Sequence, residues 1–226
     1  MKYNLDAPGW MSFEDLEILN RLASCVPENG NILEVGCFTG RSTLALFYGK
    51  PASAKLEVVD TFEIVDKENC YYPVHIDSRN IDGSQSKIQA IKEIAEQTGS
   101  WLEAFKYCVT PEIFDQITVN ISTSYDYKIT KHFDMIFIDA NHHLEDVLYD
   151  IRKYSTENTL IVGDDFCKKH TGVVQALVAI HEELPKTLVV PANSKIWILV
   201  PQTPHWAKVF AQIFSMNQPD TEQQHV

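Results

Sequence analysis

Hydrophobic and polar positions along this chain follow two alternating periods. Short β-rich apolar runs are separated by stretches whose apolar residues fall three and four apart, the pattern of a parallel sheet covered by helices. Phe13, Leu16, Leu19 and Ala23 lie at helical spacing behind a Ser12/Asp15 capping box, and Pro27-Glu28-Asn29-Gly30 ends that helix. Residues 31–35 read as a first strand, Gly36 to Gly40 as a turn, and Ser42 to Leu46 as the opening of a helix. Residues 56–60 form a second strand. Residues 85–97 predict a helix with Ile88, Ile91 and Ala95 on one face, and residues 101–109 a shorter one. Residues 117–121 read as a third strand and 133–139 as a buried fourth. Leu144, Val147, Leu148 and Ile151 then mark a helix. Residues 159–163 predict a strand ending in Asp164-Asp165, followed by a helix carrying Val173, Leu177, Ile180 and Leu184. Residues 188–190 and 196–200 close the sheet as a hairpin pair.

Two segments break the alternation. Residues 61–83 are polar with little periodicity and read as a long insertion or a lid. Residues 218–226 are polar and read as a frayed tail. With 226 residues the chain is expected to form one domain, large enough to fold without disulfide or metal staples.

Composition narrows the classes. Hydrophobic residues make up 45% and charged residues 22%, ordinary globular proportions. No apolar run reaches the ~18 residues of a membrane span, and the N-terminus lacks the apolar core of a secretory signal. The five cysteines are widely spaced with no Cys-x-x-Cys, so reduced thiols in a cytoplasmic protein are expected. The 31 acidic residues outnumber the 19 basic ones, and a net charge of -12 argues against a nucleic-acid partner.

Three separate strands end in acids: Asp60, Asp139 and the pair Asp164-Asp165. In an open α/β sheet the ligand site lies beyond the carboxyl ends of the strands, so these carboxylates gather at one rim. Like charges raise one another's pKa, so such a cluster persists where a cation neutralises it or its members bind different ligand groups. Any one of these acids, taken singly, is equally compatible with a helix N-cap. Gly36 and Gly40 allow a sharp turn and a close approach of ligand to backbone, and Asp60, about 20 residues on, can accept hydrogen bonds from both hydroxyls of a ribose.

Together these residues bring a family into view. Asn31-Ile32-Leu33-Glu34-Val35-Gly36-Cys37-Phe38-Thr39-Gly40-Arg41-Ser42 resembles motif I of the class I S-adenosylmethionine-dependent methyltransferases. Val58-Val59-Asp60 resembles that family's second strand end. The segments from Phe133 to His142 and from Val162 to Phe166, with Gly172, Val173 and Ala176, are similar to its metal-dependent sugar O-methyltransferase branch, the macrocin O-methyltransferase type. The resemblance spans roughly residues 9–200. It implies a Rossmann-like α/β fold: a doubly wound, mostly parallel seven-stranded sheet with an antiparallel C-terminal strand.

The resemblance further implies a site. Glu34, Gly36, Gly40 and Ser42 would line the methionine end of S-adenosylmethionine, Asp60 would hold the ribose, and Ser122 would approach the adenine. Asp139, Asp164 and Asp165 fall on metal-ligand positions, and an all-oxygen set suits Mg²⁺. A divalent metal on the acceptor hydroxyl would lower its pKa. His142 is the expected general base, with a helix-capping role as its alternative. Asn141 stands where that branch often has an aspartate, which excludes a carboxylate base there. Lys168, Lys169 and His170 read as an exposed basic loop, or as residues facing substrate.

The expected activity is therefore an Mg²⁺-dependent O-methyltransferase acting on a small hydroxylated molecule, free in the cytoplasm and with no membrane or nucleic-acid partner. Related enzymes often associate, so a homo-oligomer is compatible. A non-catalytic cofactor-binding protein of the same fold is the alternative. A nicotinamide-dependent oxidoreductase is disfavoured by the two-glycine turn.

Overall fold

A computed structural model of the chain describes residues 7–64 and 84–215. The expected insertion or lid at 61–83 falls, beyond residue 64, outside the described residues, as does the expected tail at 218–226. In chain order the elements are α1 (Phe13–Ser24), β1 (Asn31–Val35), α2 (Arg41–Gly49), β2 (Lys55–Asp60), α3 (Ser84–Thr98), α4 (Trp101–Val109), α5 (Pro111–Phe114), β3 (Thr118–Ile121), β4 (Met135–Ile138), α6 (Leu144–Tyr154), β5 (Leu160–Gly163), α7 (Thr171–His181), β6 (Lys186–Val189), β7 (Trp197–Pro201) and α8 (Pro204–Ser215).

Local chemistry explains where the elements begin. The Ser12 hydroxyl accepts from the Asp15 amide at 3.1 Å and donates to its carboxylate at 2.8 Å, closing the capping box of α1. Glu14 and Asp15 in the first turn and Arg21 in the last complement the helix dipole. Every residue of β4 and β5 is buried, which requires helices on both sheet faces. The strands divide their side chains with a period of two. Ile32, Val58, Phe137 and Val162 pack with α1, α2, α4 and α8 on one face. Leu33, Val59, Ile136 and Ile161 pack with α6 and α7 on the other.

The sheet has seven strands in the order β3-β2-β1-β4-β5-β7-β6. β3, β2, β1, β4 and β5 run parallel, and β7 lies antiparallel between β5 and β6. The expected Rossmann-like architecture with one antiparallel C-terminal strand is therefore the observed one. The strand order reverses between β1 and β4, where a crevice opens beyond the strand ends.

Some boundaries differ from the sequence reading. β6 starts two residues earlier than expected, because Lys186 bonds back to the Thr156 and Thr159 carbonyls and draws the chain into the sheet. The pattern gave no signal for α8, whose Trp206 and Phe210 cover the same face as α1, nor for the single turn α5. No helix among the described residues is long and apolar enough to cross a membrane.

Candidate active site

The site is built at the strand-order reversal. Gly36 follows β1 with φ +84°, and a Cβ there would overlap the carbonyl oxygen of Asp139, the residue that follows β4. Two neighbouring strand ends thus close on each other only because this residue has no side chain. Beyond Gly36 the turn is held by Asp60. Its Oδ2 accepts from the amides of Cys37 at 2.8 Å and Phe38 at 3.0 Å, and its Oδ1 from the Phe62 amide at 2.7 Å. Phe38 adopts φ +46°, a left-handed conformation costing a non-glycine residue about 1–2 kcal/mol. Asp60 offsets that cost, as do stacking on Trp10 (ring centroids 5.3 Å) and an edge contact with Trp101 (4.6 Å).

Beneath the turn lies Glu34, wholly buried, accepting from the hydroxyls of Ser42 and of Thr43, the latter at 2.6 Å. Burial pushes its carboxyl up to about 7 against the lowering effect of the two hydroxyls. Above the turn, residues 7–11 form a strap. Thr39 donates to the Pro8 carbonyl, and the buried Arg41 guanidinium donates to the carbonyls of Met11 and Ala7, each at 3.1 Å. The strap sets Trp10 over the turn.

The opposite wall is a rim of charged side chains. Asp164 and Asp165 follow β5, and Asp165 has φ +66°. The indole nitrogen of Trp197 donates to the Asp164 carbonyl at 2.9 Å, which fixes this turn against β7. The Phe166 amide donates to the Lys195 carbonyl at 2.8 Å, and the Lys195 amide to Asp15 Oδ1 at 3.3 Å. Lys195 Nζ consequently reaches the acids, 2.9 Å from Asp165 Oδ1 and 3.6 Å from Asp164 Oδ2. His142 Nε2 lies 2.9 Å from Asp165 Oδ2 and 4.0 Å from Asp139 Oδ1. His170 Nε2 lies 3.5 Å from the same Asp165 Oδ2.

Electrostatics divide these acids. Burial, reinforced by Asp164 and Asp165, raises the Asp139 carboxyl well above the carboxylate range. Burial lifts Asp164 to about 6, with Lys195 opposing and Asp165 adding to the rise. Burial would also raise Asp165, but His142 and Lys195 outweigh it and hold that carboxyl well below the usual range. Burial lowers the Lys195 ammonium less than the surrounding carboxylates raise it.

A cavity of about 690 Å³ joins the two walls. Gly36, Phe38 and Ser42 line it from the turn, Trp10 and Met11 from the strap, and Asp139, His142, Asp164 and Asp165 from the rim. Of the residues expected to hold a cofactor, Gly36 and Ser42 thus face the cavity. Glu34 lies one layer below, holding Ser42. Gly40, at φ +88°, packs against Val109 and Phe105 of α4. Asp60 spends three hydrogen bonds on main-chain amides, two at Oδ2 and, among the described residues, one at Oδ1. Ser122 donates its amide to the Asp60 carbonyl at 3.0 Å and lies beyond that strand end.

The three expected metal ligands do gather at one rim. Lys195 and His170 complete it; the sequence offers His170 as facing substrate or as part of an exposed basic loop, and offers nothing for Lys195. Lys195 sits in a turn between two strands with nothing in its neighbourhood to announce its reach. The residues fit a cation in part. Oδ1 of Asp164 is buried with no hydrogen-bond partner among the described residues, as a ligand or ligand neighbour would be. Oδ2 of Asp164 and Oδ1 of Asp165, however, already face the Lys195 ammonium, so an all-carboxylate set is not free to close on an ion.

Residues 33–166 match the family model described as a methyltransferase domain. No curated protein sequence matches the chain. Among solved structures, a Corynebacterium glutamicum protein aligns with a TM-score of 0.54 at 11% identity, covering 88% of this chain and 85% of its own. Cofactor-bound Rv0187 from MTB aligns with a TM-score of 0.51 at 16% identity, with the same coverages of 88% and 85%. These likenesses establish the fold.

Proposed function

The chain belongs to the family of that methyltransferase domain, and on this premise we propose that it transfers a methyl group from S-adenosylmethionine to a hydroxyl of a small molecule. One observation carries the reading: the glycine turn after β1 and the acid–imidazole rim are two walls of a single cavity. Gly36 and Ser42 would receive the methionine end of the donor. Oδ1 of Asp60, with one amide donor among the described residues, would take a ribose hydroxyl, and Ser122 would lie toward the adenine. Trp10, stacked on Phe38 at the turn, would flank the donor, and the acceptor would enter between it and the rim.

The sulfonium of the donor supplies an electrophilic methyl. The acceptor oxygen forms a bond to the methyl carbon as the carbon–sulfur bond breaks, its electron pair going to sulfur, and the hydroxyl proton passes to the rim. The rim suits that step. It sets the His142 imidazole 2.9 Å from the ionised Asp165, with Asp139 and Asp164 alongside, a group able to take a proton and a surrounding able to hold a divalent cation that would lower the acceptor's pKa when bound. A nitrogen acceptor would have less need of such a rim, since a neutral amine already offers a lone pair. The macrocin-type sugar O-methyltransferase branch, a dependence on a divalent metal and a cytoplasmic location are part of this reading.

Isothermal titration with S-adenosylmethionine tests the donor site, and transfer of labelled methyl to a panel of sugars, polyols and phenols, with and without EDTA, tests the reaction. Binding in the micromolar range and label on a hydroxylated compound are expected. Donor binding without transfer to any of them would favour a non-catalytic cofactor-binding protein, and absence of donor binding would overturn the reading.

A further inference from the structure

The rim carries ring nitrogens as well as carboxylates, and their arrangement is specific. Nε2 of His142 and Nε2 of His170 both face one atom, Oδ2 of Asp165, at 2.9 and 3.5 Å. The three residues' ligand atoms lie within 4.8 Å of one another, and the two imidazole centroids are 4.2 Å apart. Nε2 of His142 is buried and pairs with Asp165 by charge at 2.9 Å, and among the described residues it has no well-aligned hydrogen bond. Ligand atoms held about 2.0–2.1 Å from one ion stand about 2.9 Å apart at a right angle and about 3.4 Å apart at the tetrahedral angle. The two nitrogen–oxygen separations match that spacing.

The surroundings hold the three groups in this relation. Lys195 Nζ takes Oδ1 of Asp165 at 2.9 Å, which turns Oδ2 alone toward the imidazoles. Asp165 sits at φ +66°, a left-handed conformation found where neighbouring structure over-determines a residue. Gly172, two residues past His170, packs so closely on the His142 carbonyl that a Cβ there would overlap it. The loop carrying His142 and the start of α7 carrying His170 are thereby clamped together. Outer contacts of this kind orient the ligands of metal sites.

We propose that His142, Asp165 and His170 form a three-ligand site for a borderline first-row divalent ion of the Zn²⁺ type, rather than a carboxylate site for Mg²⁺. Two imidazoles and one carboxylate suit such an ion, whereas Mg²⁺ takes oxygen ligands. Asp139 and Asp164 are then neighbours of the site, and Lys195 is the fixed cation that balances them. Three protein ligands leave a position open toward the cavity. The inference rests on the proposed methyltransferase reading and deepens it. With Nε2 committed to an ion, His142 would act on an acceptor hydroxyl through that ion and not as a free base.

Co²⁺ is the probe, titrated into chelator-treated protein and followed by its visible absorption and by calorimetry, with Mg²⁺ and Zn²⁺ run in parallel. One equivalent of Co²⁺ with intense visible bands, Zn²⁺ binding at least tenfold tighter than Mg²⁺, and a loss of tenfold or more in Co²⁺ affinity in each of His142→Ala and His170→Ala are expected. His170→Asn replaces the alanine variant if the latter does not fold. Mg²⁺ binding as tight as Zn²⁺, or unchanged Co²⁺ affinity in a folded His170 variant, would overturn the site. S-adenosylmethionine titrated into the same chelated samples separates the two readings. Donor binding without Co²⁺ binding refutes the metal site alone. Co²⁺ binding lost in the histidine variants, with no donor binding, supports the ligand set while refuting the methyltransferase reading.

Discussion

Lys195 Nζ lies 2.9 Å from Oδ1 of Asp165, thirty residues back in the chain, and so places a permanent positive charge inside the acidic rim. Removing one partner of a partly buried ion pair leaves the other uncompensated. Lys195→Met is expected to lower the stability of the chelated protein by about 1–3 kcal/mol, the range reflecting partial exposure of the ammonium. Urea unfolding reads it, and an unchanged midpoint would mean that the ammonium contributes nothing to holding the rim together.

Glu34 titrates at about 7 in the folded chain, against an ordinary value of 4.5. Between those values the folded protein holds a proton that the unfolded chain releases. The stability contributed is therefore complete below about pH 4.5 and is lost as pH rises through 7, amounting to at most about 3 kcal/mol. Glu34→Gln keeps the shape and removes the titration. The gap in unfolding free energy between the two proteins should move in the variant's favour from pH 5 to pH 8, and a constant gap would contradict it.

Gly36 and Gly99 both adopt positive φ, yet only Gly36 is crowded; a Cβ on Gly99 meets nothing within 4 Å. Gly99→Ala should cost about 1–2 kcal/mol, from backbone conformation alone. Gly36→Ala adds an overlap with the Asp139 carbonyl and should cost about 3 kcal/mol or more. Thermal unfolding of the pair separates conformation from crowding, and equal losses would refute the close approach of the two strand ends.

Trp10 is 51% exposed but stacks on Phe38 at the cavity wall. Trp10→Ala should change stability by less than about 1 kcal/mol while weakening S-adenosylmethionine binding by roughly tenfold, the contribution expected of one aromatic wall. Calorimetry beside urea unfolding checks both halves. Unaltered donor affinity would remove the strap from the donor site.

The fold was legible because its signals are local. Ser12 and Asp15 cap α1 within four residues, and the runs at β1, β2, β4 and β5 need only their own apolar composition and the helices between them to define a parallel sheet. The strand-end acids Asp60, Asp139, Asp164 and Asp165 were legible as a set, because strand direction alone sends them to one edge. What each acid binds was not. Asp60 satisfies backbone amides of the Gly36 turn, and Glu34 lies beneath that turn, because hydrogen bonds across the sheet are decided by register and packing depth. The reach of Lys195, and the pairing of His170 with Asp165 rather than its place near the site, were beyond sequence reasoning for the same reason. Their side chains meet Asp165 only after β7 inserts beside β5 and α7 docks on the loop after β4, contacts between segments that no local pattern couples.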